Sequence, residues 1–234
     1  MTDPRDVFVS RVVRGKSFVE VGGLWGTVAE KVSVAHMAGA SHVAMFDVTP
    51  EGEELWTKFH SRLKELGVPG CECYVGDIAA YKGRRYDVVH CAGVLYHHPN
   101  PLEIITGLRR MTAEYLILTS CITATHIENA EGVLEVPESG VLFIPGLTDS
   151  ERRVLAAYWA SYGVHAEGIT HPCNYRLNEL NASDMGPWWF LPTAHAMRSL
   201  ARVCGYDVID EQTWWNNNAH TLLCRATETG IVVH

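Results

Sequence analysis

Short apolar runs alternate with amphipathic segments along the first half of the chain, and this alternation constrains the fold more than any other feature. The runs with strand character span 17–21, 42–48, 71–78, 86–98 and 114–120, the fourth continuing into a loop. The segments between them have the length and the periodicity of helices. Strands joined by helical crossovers are typical of a mostly parallel sheet with helices on both faces.

Three of the helices carry start signals. Thr27 and Glu30 have the S/T-x-x-E spacing of a capping box, which predicts a helix beginning at residue 27. Thr49 and Asn100 each precede a proline, and a polar cap followed by proline at the first helical position predicts two further helices there.

The alternation stops after residue 120 and returns near the end of the chain. Residues 121–187 show no clean period and contain many Pro, Gly, Asn, His, Tyr and Trp residues. A helix and two strands follow, the strands at about 206–214 and 219–226 forming a hairpin across "WNNN". We therefore predict one domain over residues 1–234. Its fold class is α/β, a Rossmann-like, mostly parallel seven-stranded sheet with a terminal β-hairpin and with 121–187 inserted as a cap.

Composition narrows the classes of partner. The formal net charge of -8 argues against DNA and disfavours tRNA, because phosphate binding needs clustered Lys and Arg. A basic leader and an apolar run of ~20 residues are both missing, so we expect a cytoplasmic protein without a membrane span. The seven cysteines contain no C-x-x-C pair and are expected to be reduced thiols. Nothing in the sequence indicates the oligomeric state.

The first strand runs into a glycine-rich turn, "VEVGGLWG". A phosphate-binding G-x-x-x-x-G-K-[ST] loop does not follow the strand, and Leu24 interrupts the dinucleotide pattern G-x-G-x-x-G. What remains is E-x-G-x-x-x-G, formed by Glu20, Gly22 and Gly26. A carboxylate beside such a turn would repel a pyrophosphate but suits a ligand with an ammonium group, such as S-adenosylmethionine. A turn required only for tight packing is the alternative.

Two more carboxylates end the next two strands. Asp47 closes the second strand, where it could accept both ribose hydroxyls of a nucleoside. Asp77 closes the third, placed for the adenine amino group, with Ile78 beside it for the ring. In an open parallel sheet, ligands lie across the carboxyl ends of the strands. Independent surface acids are the alternative interpretation.

These segments together resemble the class I S-adenosylmethionine-dependent methyltransferases over nearly the whole chain. The similar motifs are "VEVGGLWG", "FDV", "GDI", "YDVVHCAGVLYHHPNP" and "PWWFLPTAHAMRSLARVCGYDV". The fourth and the last are most similar to the wobble-uridine carboxymethyltransferases and their unassigned relatives, although Leu24 stands where the first motif usually has glycine. The resemblance implies S-adenosylmethionine as cofactor. The residues expected to bind it are Glu20, Gly22, Gly23, Gly26, Asp47, Val48, Asp77, Ile78, Cys91 and Ala92.

Methyl transfer is an in-line displacement that needs an oriented acceptor and, for a protonated oxygen or nitrogen, a base. His97 follows the fourth strand, while His126 and His171 lie in the insertion, and these are the candidate bases. The expected acceptor-binding residues are Tyr96, His98, Tyr175, Arg176, Trp188 and Trp189. A helix-capping role for one of the adjacent histidines and a core role for the tryptophan pair remain open. No metal is expected, since the histidines lack ligand spacing.

The expected activity is methylation of an oxygen or nitrogen of a small, partly apolar metabolite, which serves as the methyl acceptor. The alternatives are a tRNA-modifying methyltransferase, a non-catalytic S-adenosylmethionine-binding protein and, least favoured by the failed glycine fingerprint, a nicotinamide-dependent oxidoreductase.

Overall fold

A computed structural model describes residues 3–166, 169 and 187–228 of the protein. The strands in this part of the chain are β1 (Ser17–Val21), β2 (His42–Asp47), β3 (Glu72–Val75), β4 (Tyr86–Ala92), β5 (Thr112–Cys121), β6 (His126–Asn129), β7 (Gly132–Glu135), β8 (Val141–Phe143), β9 (Phe190–Pro192), β10 (Tyr206–Trp214) and β11 (Ala219–Ala226). The helices are α1 (Pro4–Val12), α2 (Val32–Met37), α3 (Glu54–Glu65), α4 (Pro101–Met111), α5 (Asp149–Ala160) and α6 (Ala194–Val203).

Seven of these strands form the central sheet, in the order β10-β11-β5-β4-β1-β2-β3. The pairs among β1 to β5 are parallel, and β11 runs antiparallel to both of its neighbours. The predicted seven-stranded, mostly parallel α/β fold is confirmed, and so is the terminal hairpin. None of the helices in the described residues could span a membrane.

The two faces of the sheet bury different side chains of the same strands. In β1, Phe18 packs in one cluster with residues of α1, α2 and α3, whereas Val19 and Val21 pack in the other with residues of α4 and α6. This alternation follows from the two-residue period of a strand. Helices therefore cover both faces and leave the strand ends as the place for a site.

Two predicted helix starts are wrong, because side chains expected to cap them bind elsewhere. The Thr27 hydroxyl donates back to the Leu24 carbonyl, only a short 3-10 turn forms at Thr27–Ala29, and α2 begins at Val32. The Thr49 N–H and hydroxyl donate to Asp47 Oδ1, and α3 begins at Glu54. The third start is confirmed: α4 begins at Pro101, after Asn100.

The described part of the insertion has structure that its irregular sequence does not predict. Strands β6 and β7 form an antiparallel hairpin, β8 pairs with β9, and α5 packs against β6 and β7. A third apolar cluster holds these elements together, with Ile144, Leu155, Trp159 and Trp188 among its buried members. Short strands and one helix around a small core give no long period, which explains why the pattern looked irregular.

Candidate functional site

The carboxyl ends of β1, β2, β3 and β4 lie side by side, which brings most of the predicted cofactor residues to one edge of the sheet. Val21 at the end of β1 is in register with Phe46 of β2 and with Cys91 of β4. Asp47 at the end of β2 is in register with Val75, the last residue of β3. The glycine turn, Asp47 and the segment after β4 are therefore neighbours.

The glycine turn is held by close packing. Gly22 has φ +74° and its N–H donates to the Phe46 carbonyl at 2.9 Å. A Cβ at Gly22 would overlap Val94 Cγ2, and one at Gly23 would lie 2.6 Å from Glu20 Cδ. Packing alone thus requires the first two glycines. A Cβ at Gly26 would have its nearest neighbour 3.7 Å away, so this residue leaves the turn open on that side.

Glu20 lies beneath this turn with only 3% of its surface exposed. Its Oε2 accepts from the backbone N–H groups of Lys31 at 2.7 Å and Val32 at 3.2 Å. Its Oε1 is 3.2 Å from Nδ1 of His90, a buried residue of β4 that sequence reasoning missed although β4 register places it opposite Glu20. The carboxylate therefore binds the start of α2, and its direct contact with a ligand stays a prediction.

Asp47 connects the glycine turn to the segment that follows β2. Its Oδ2 accepts from the Leu24 N–H at 3.3 Å, and its Oδ1 accepts from the Thr49 N–H at 2.9 Å and hydroxyl at 2.7 Å. A carboxylate offers about four acceptor positions, so one position remains after these three donors. The side chain is 3% exposed, and any ligand that uses it must reach past the turn.

Of the residues predicted near the adenine, some are exposed and one is buried. Asp77 is exposed and accepts from the Ala79 N–H at 2.8 Å. Ile78 is 5% exposed, and its carbonyl packs so closely on Gly107 of α4 that a Cβ there would overlap it. Ile78 is thus a core residue and not an open apolar surface. Val48 is 61% exposed and does offer such a surface at this edge.

Two predicted cofactor residues of β4 and one unpredicted residue complete this edge. Cys91 is fully buried in the core, and burial raises the pKa of its thiol. Ala92 is the partly exposed last residue of β4. Trp25, within the glycine turn itself, is 61% exposed, a second apolar surface beside the turn that sequence reasoning did not single out.

The loop after β4 meets the returning end of the insertion. The Tyr96 ring lies 4.7 Å from the Trp188 ring, and the Trp189 N–H donates to the Tyr96 carbonyl at 2.7 Å. His97 Nδ1 is 3.2 Å from the Pro187 carbonyl oxygen, and burial lowers the pKa of His97. Four predicted residues therefore meet here, and we call them the His97 cluster: Tyr96, His97, Trp188 and Trp189. Both tryptophans are buried, so they serve as core as well as lining this meeting point.

The other predicted residues lie apart from this cluster. His126 is exposed on β6, with Nδ1 2.6 Å from Glu135, and the hydrogen bond with that carboxylate raises the pKa of His126. Both of its ion-pair partners, Glu128 and Glu135, lie on β6 and β7, so the geometry favours His97 over His126 as the base. His98 Nδ1 lies 2.9 Å from the Asn100 carbonyl oxygen and 3.1 Å from the Asn100 backbone nitrogen, so its contacts are local to the segment before α4. His171, Tyr175 and Arg176 lie outside the described residues.

No family model and no curated protein matches the sequence. Among solved structures, the chain is similar to magnesium protoporphyrin IX methyltransferase from Synechocystis PCC 6803 with bound SAH. The TM-score is 0.59 at 16% identity, over 96% of this chain and 82% of that one. It is also similar to coclaurine N-methyltransferase bound to N-methylheliamine and SAH, with a TM-score of 0.57 at 12% identity, over 90% of this chain and 50% of that one.

Mitomycin 7-O-methyltransferase is a third similar structure, with a TM-score of 0.55 at 12% identity, over 96% of this chain and 53% of that one. The protein thus spans about half the length of the last two enzymes. At these identities the similarity establishes the fold. The protein shares the fold of these three solved structures over nearly its whole length.

Proposed function

We propose that the protein is an S-adenosylmethionine-dependent methyltransferase acting on an oxygen or nitrogen of a small, partly apolar molecule. One observation carries the proposal. The open glycine turn, Asp47 and the His97 cluster occupy adjoining strand ends, in a fold that matches a methyltransferase with bound SAH over 96% of this chain.

The residues at this edge fit the parts of S-adenosylmethionine. The remaining acceptor position of Asp47 suits a ribose hydroxyl, and the exposed Val48 suits one face of an adenine ring. Asp77 is exposed at the next strand end for the adenine amino group. Gly26 carries no side chain on the open side of the turn, where the amino-acid end would lie. Glu20 would support this site by fixing the turn from below.

S-adenosylmethionine supplies a methyl group activated by the sulfonium, so the protein has to orient the acceptor, exclude water and remove a proton. His97 is suited to hold that proton. The Pro187 carbonyl can only accept, so Nδ1 carries the ring hydrogen and Nε2 keeps its lone pair. The lowered pKa keeps the ring neutral near pH 7. Tyr96 and Trp188 pack around the imidazole and limit access of water.

The insertion 121–187 would act as the cap over the acceptor. It leaves from the end of β5, where the Thr123 N–H donates to the Pro192 carbonyl at 2.9 Å, and it returns at Pro187 beside His97. The net charge of -8 favours a small acceptor over tRNA or DNA. The named acceptors of the similar enzymes are small molecules as well.

Calorimetry with SAH tests the cofactor assignment, and transfer of label from methyl-labelled S-adenosylmethionine into a metabolite extract tests the activity. Saturable SAH binding and a labelled product are the expected results. Binding without transfer would favour a non-catalytic S-adenosylmethionine-binding protein. Tight NADH binding in place of SAH would favour an oxidoreductase and refute the proposal.

A further inference from the structure

The aromatic cluster around His97 continues to the turn between β10 and β11. Trp188 lies 5.0 Å from Trp159 of α5, and Trp159 lies 5.7 Å from Trp215, the first residue of that turn. The Tyr158 hydroxyl donates to Asn218 Oδ1 at 2.6 Å. We call Tyr158, Trp159, Trp215 and Asn218 the turn cluster. The Asn218 carbonyl accepts from the Ile122 N–H at 3.0 Å. The cluster therefore borders the end of β5, at the same edge of the sheet as His97.

Two donors of the turn cluster have no hydrogen-bond acceptor among the described residues. They are Trp159 Nε1 and Asn218 Nδ2, on side chains that are 1% and 0% exposed. Buried donors in proteins are nearly always paired, so each exception requires an explanation. All four side chains of the cluster are uncharged, and burial raises the pKa of Tyr158 to about 12, which keeps its hydroxyl protonated. The missing partner is therefore an acceptor atom, most simply a neutral oxygen.

The turn that covers these donors has an unusual backbone. Trp215, Asn216 and Asn217 all have left-handed φ values, +48°, +53° and +66°. A bulky residue such as tryptophan rarely adopts this conformation, and such residues concentrate at functional sites. Trp215 is also 39% exposed, although its ring packs against the buried Trp159. Because the Trp215 ring is already partly exposed, moving it into solvent would expose less new apolar surface than moving Trp159 would.

We propose that the turn cluster is the distal part of the acceptor site, an inference that rests on the proposed methyltransferase function. In the free protein the Trp215 ring packs against Trp159. A planar ring of the acceptor would take the same position. When the acceptor binds, Trp215 moves outward, and one carbonyl-type oxygen accepts from Trp159 Nε1 and Asn218 Nδ2. The acceptor class is then a neutral, planar aromatic molecule with such an oxygen, bound through hydrogen bonds and stacking without a covalent step.

The test uses 4-quinolone as the probe and N-methylquinolinium as its control, since both have two fused six-membered rings, but the control carries a positive charge and has no carbonyl oxygen. Both are titrated into the full chain, with and without SAH, while the tryptophan indole N–H signals are followed by nuclear magnetic resonance. We expect 4-quinolone to bind about tenfold more tightly than N-methylquinolinium and to shift the Trp159 indole proton downfield.

Variants locate the site. Trp159→Phe removes one donor, and Asn218→Asp keeps the acceptor for Tyr158 but loses the other donor. Each should weaken 4-quinolone about tenfold. Trp56→Phe is the control, because Trp56 is also buried but its Nε1 donates to the Thr49 carbonyl at 2.9 Å. Trp215→Gly should bind the probe more tightly, because it removes the ring that packs against Trp159 in the proposed site.

The contrary results are equally definite. The proposal fails if N-methylquinolinium binds as tightly as 4-quinolone, if 4-quinolone does not bind at millimolar concentration, or if folded variants all bind alike. It also fails if the Trp159 indole N–H still contacts water at saturating probe, because its acceptor would then be an internal water and not the ligand. SAH calorimetry on the same samples distinguishes failure of the acceptor assignment from failure of the proposed methyltransferase function. SAH binding with an insensitive cluster refutes only the acceptor assignment, whereas a sensitive cluster without SAH binding refutes the methyltransferase.

Discussion

The carboxylate of Glu20 accepts a hydrogen bond from the backbone N–H of Lys31 at 2.7 Å, which joins the end of β1 directly to the start of α2. The same oxygen accepts from the next N–H, of Val32, at 3.2 Å. An acid at the end of the first strand can therefore affect ligand binding without contacting the ligand. Here it fixes the path of the glycine turn, which lies between the two connected elements.

Glu20→Ala should lower the free energy of unfolding by about 3 kcal/mol, because it leaves two backbone donors and His90 without the carboxylate in a buried site. Urea denaturation measures this loss, and the exposed Glu65→Ala is the control, expected to change little. Weakened SAH binding at unchanged stability would instead support a direct contact of Glu20 with the ligand.

Gly22→Ala should disrupt the glycine turn, because the added Cβ overlaps Val94 Cγ2 and the residue has φ +74°. Gly52→Ala is the matched control: φ is +88°, but nothing lies within 4 Å of the added Cβ. The control should cost about 1–2 kcal/mol for the left-handed backbone alone, and Gly22→Ala clearly more. Denaturation and SAH calorimetry check both. The Gly22→Ala/Val94→Ala double variant should recover part of the loss, and equal losses in the two single variants would contradict the packing argument.

Asp47→Ala should weaken SAH binding by at least about 1.5–3 kcal/mol, the range of a hydrogen bond to a charged group, and should also loosen the turn at Leu24. Thr49→Val removes only one donor to the carboxylate and is expected to have a small effect on affinity. Calorimetry of both variants provides the comparison. Unchanged affinity in Asp47→Ala would show that this carboxylate does not bind the ribose.

The rate of methyl transfer should depend on the ionisation of His97. Burial lowers its pKa from the ordinary value of about 6.5, and a base is active when neutral. Activity should therefore be constant above about pH 6.5 and decline only at more acidic pH, below the ordinary histidine pKa. A profile of kcat/KM against pH measures this. An acidic limb centred at or above the ordinary value would contradict the assignment.

His97→Gln should lower kcat by about a hundredfold or more, the usual contribution of general base catalysis. His126→Ala is the matched control. His126 is exposed and paired with Glu135 and Glu128, so its removal should leave the rate unchanged. Equal losses in the two variants would place the base elsewhere.

Local sequence patterns determined much of the fold. The bounds of β1, β10 and β11 agree with the predicted strands, and α4 begins at Pro101 after an asparagine cap, as the sequence predicts. Such features depend on hydrogen bonds and side-chain periods within a few residues of one another. The same patterns, through the order of the strands, also placed the glycine turn, Asp47 and His97 at one edge.

Only the tertiary structure decided how these residues are used. Glu20, eleven positions before Lys31, accepts the hydrogen bond that a local capping residue would accept at the start of α2. Thr49 donates to Asp47 and does not cap α3. Asn218 meets Tyr158 across sixty positions. These contacts depend on strand order, on register and on which buried polar groups compete for the same acceptor, and none of these is encoded within one segment. The sequence therefore predicted which strand ends form the candidate site, whereas packing determined which of its side chains are already bound to other protein groups.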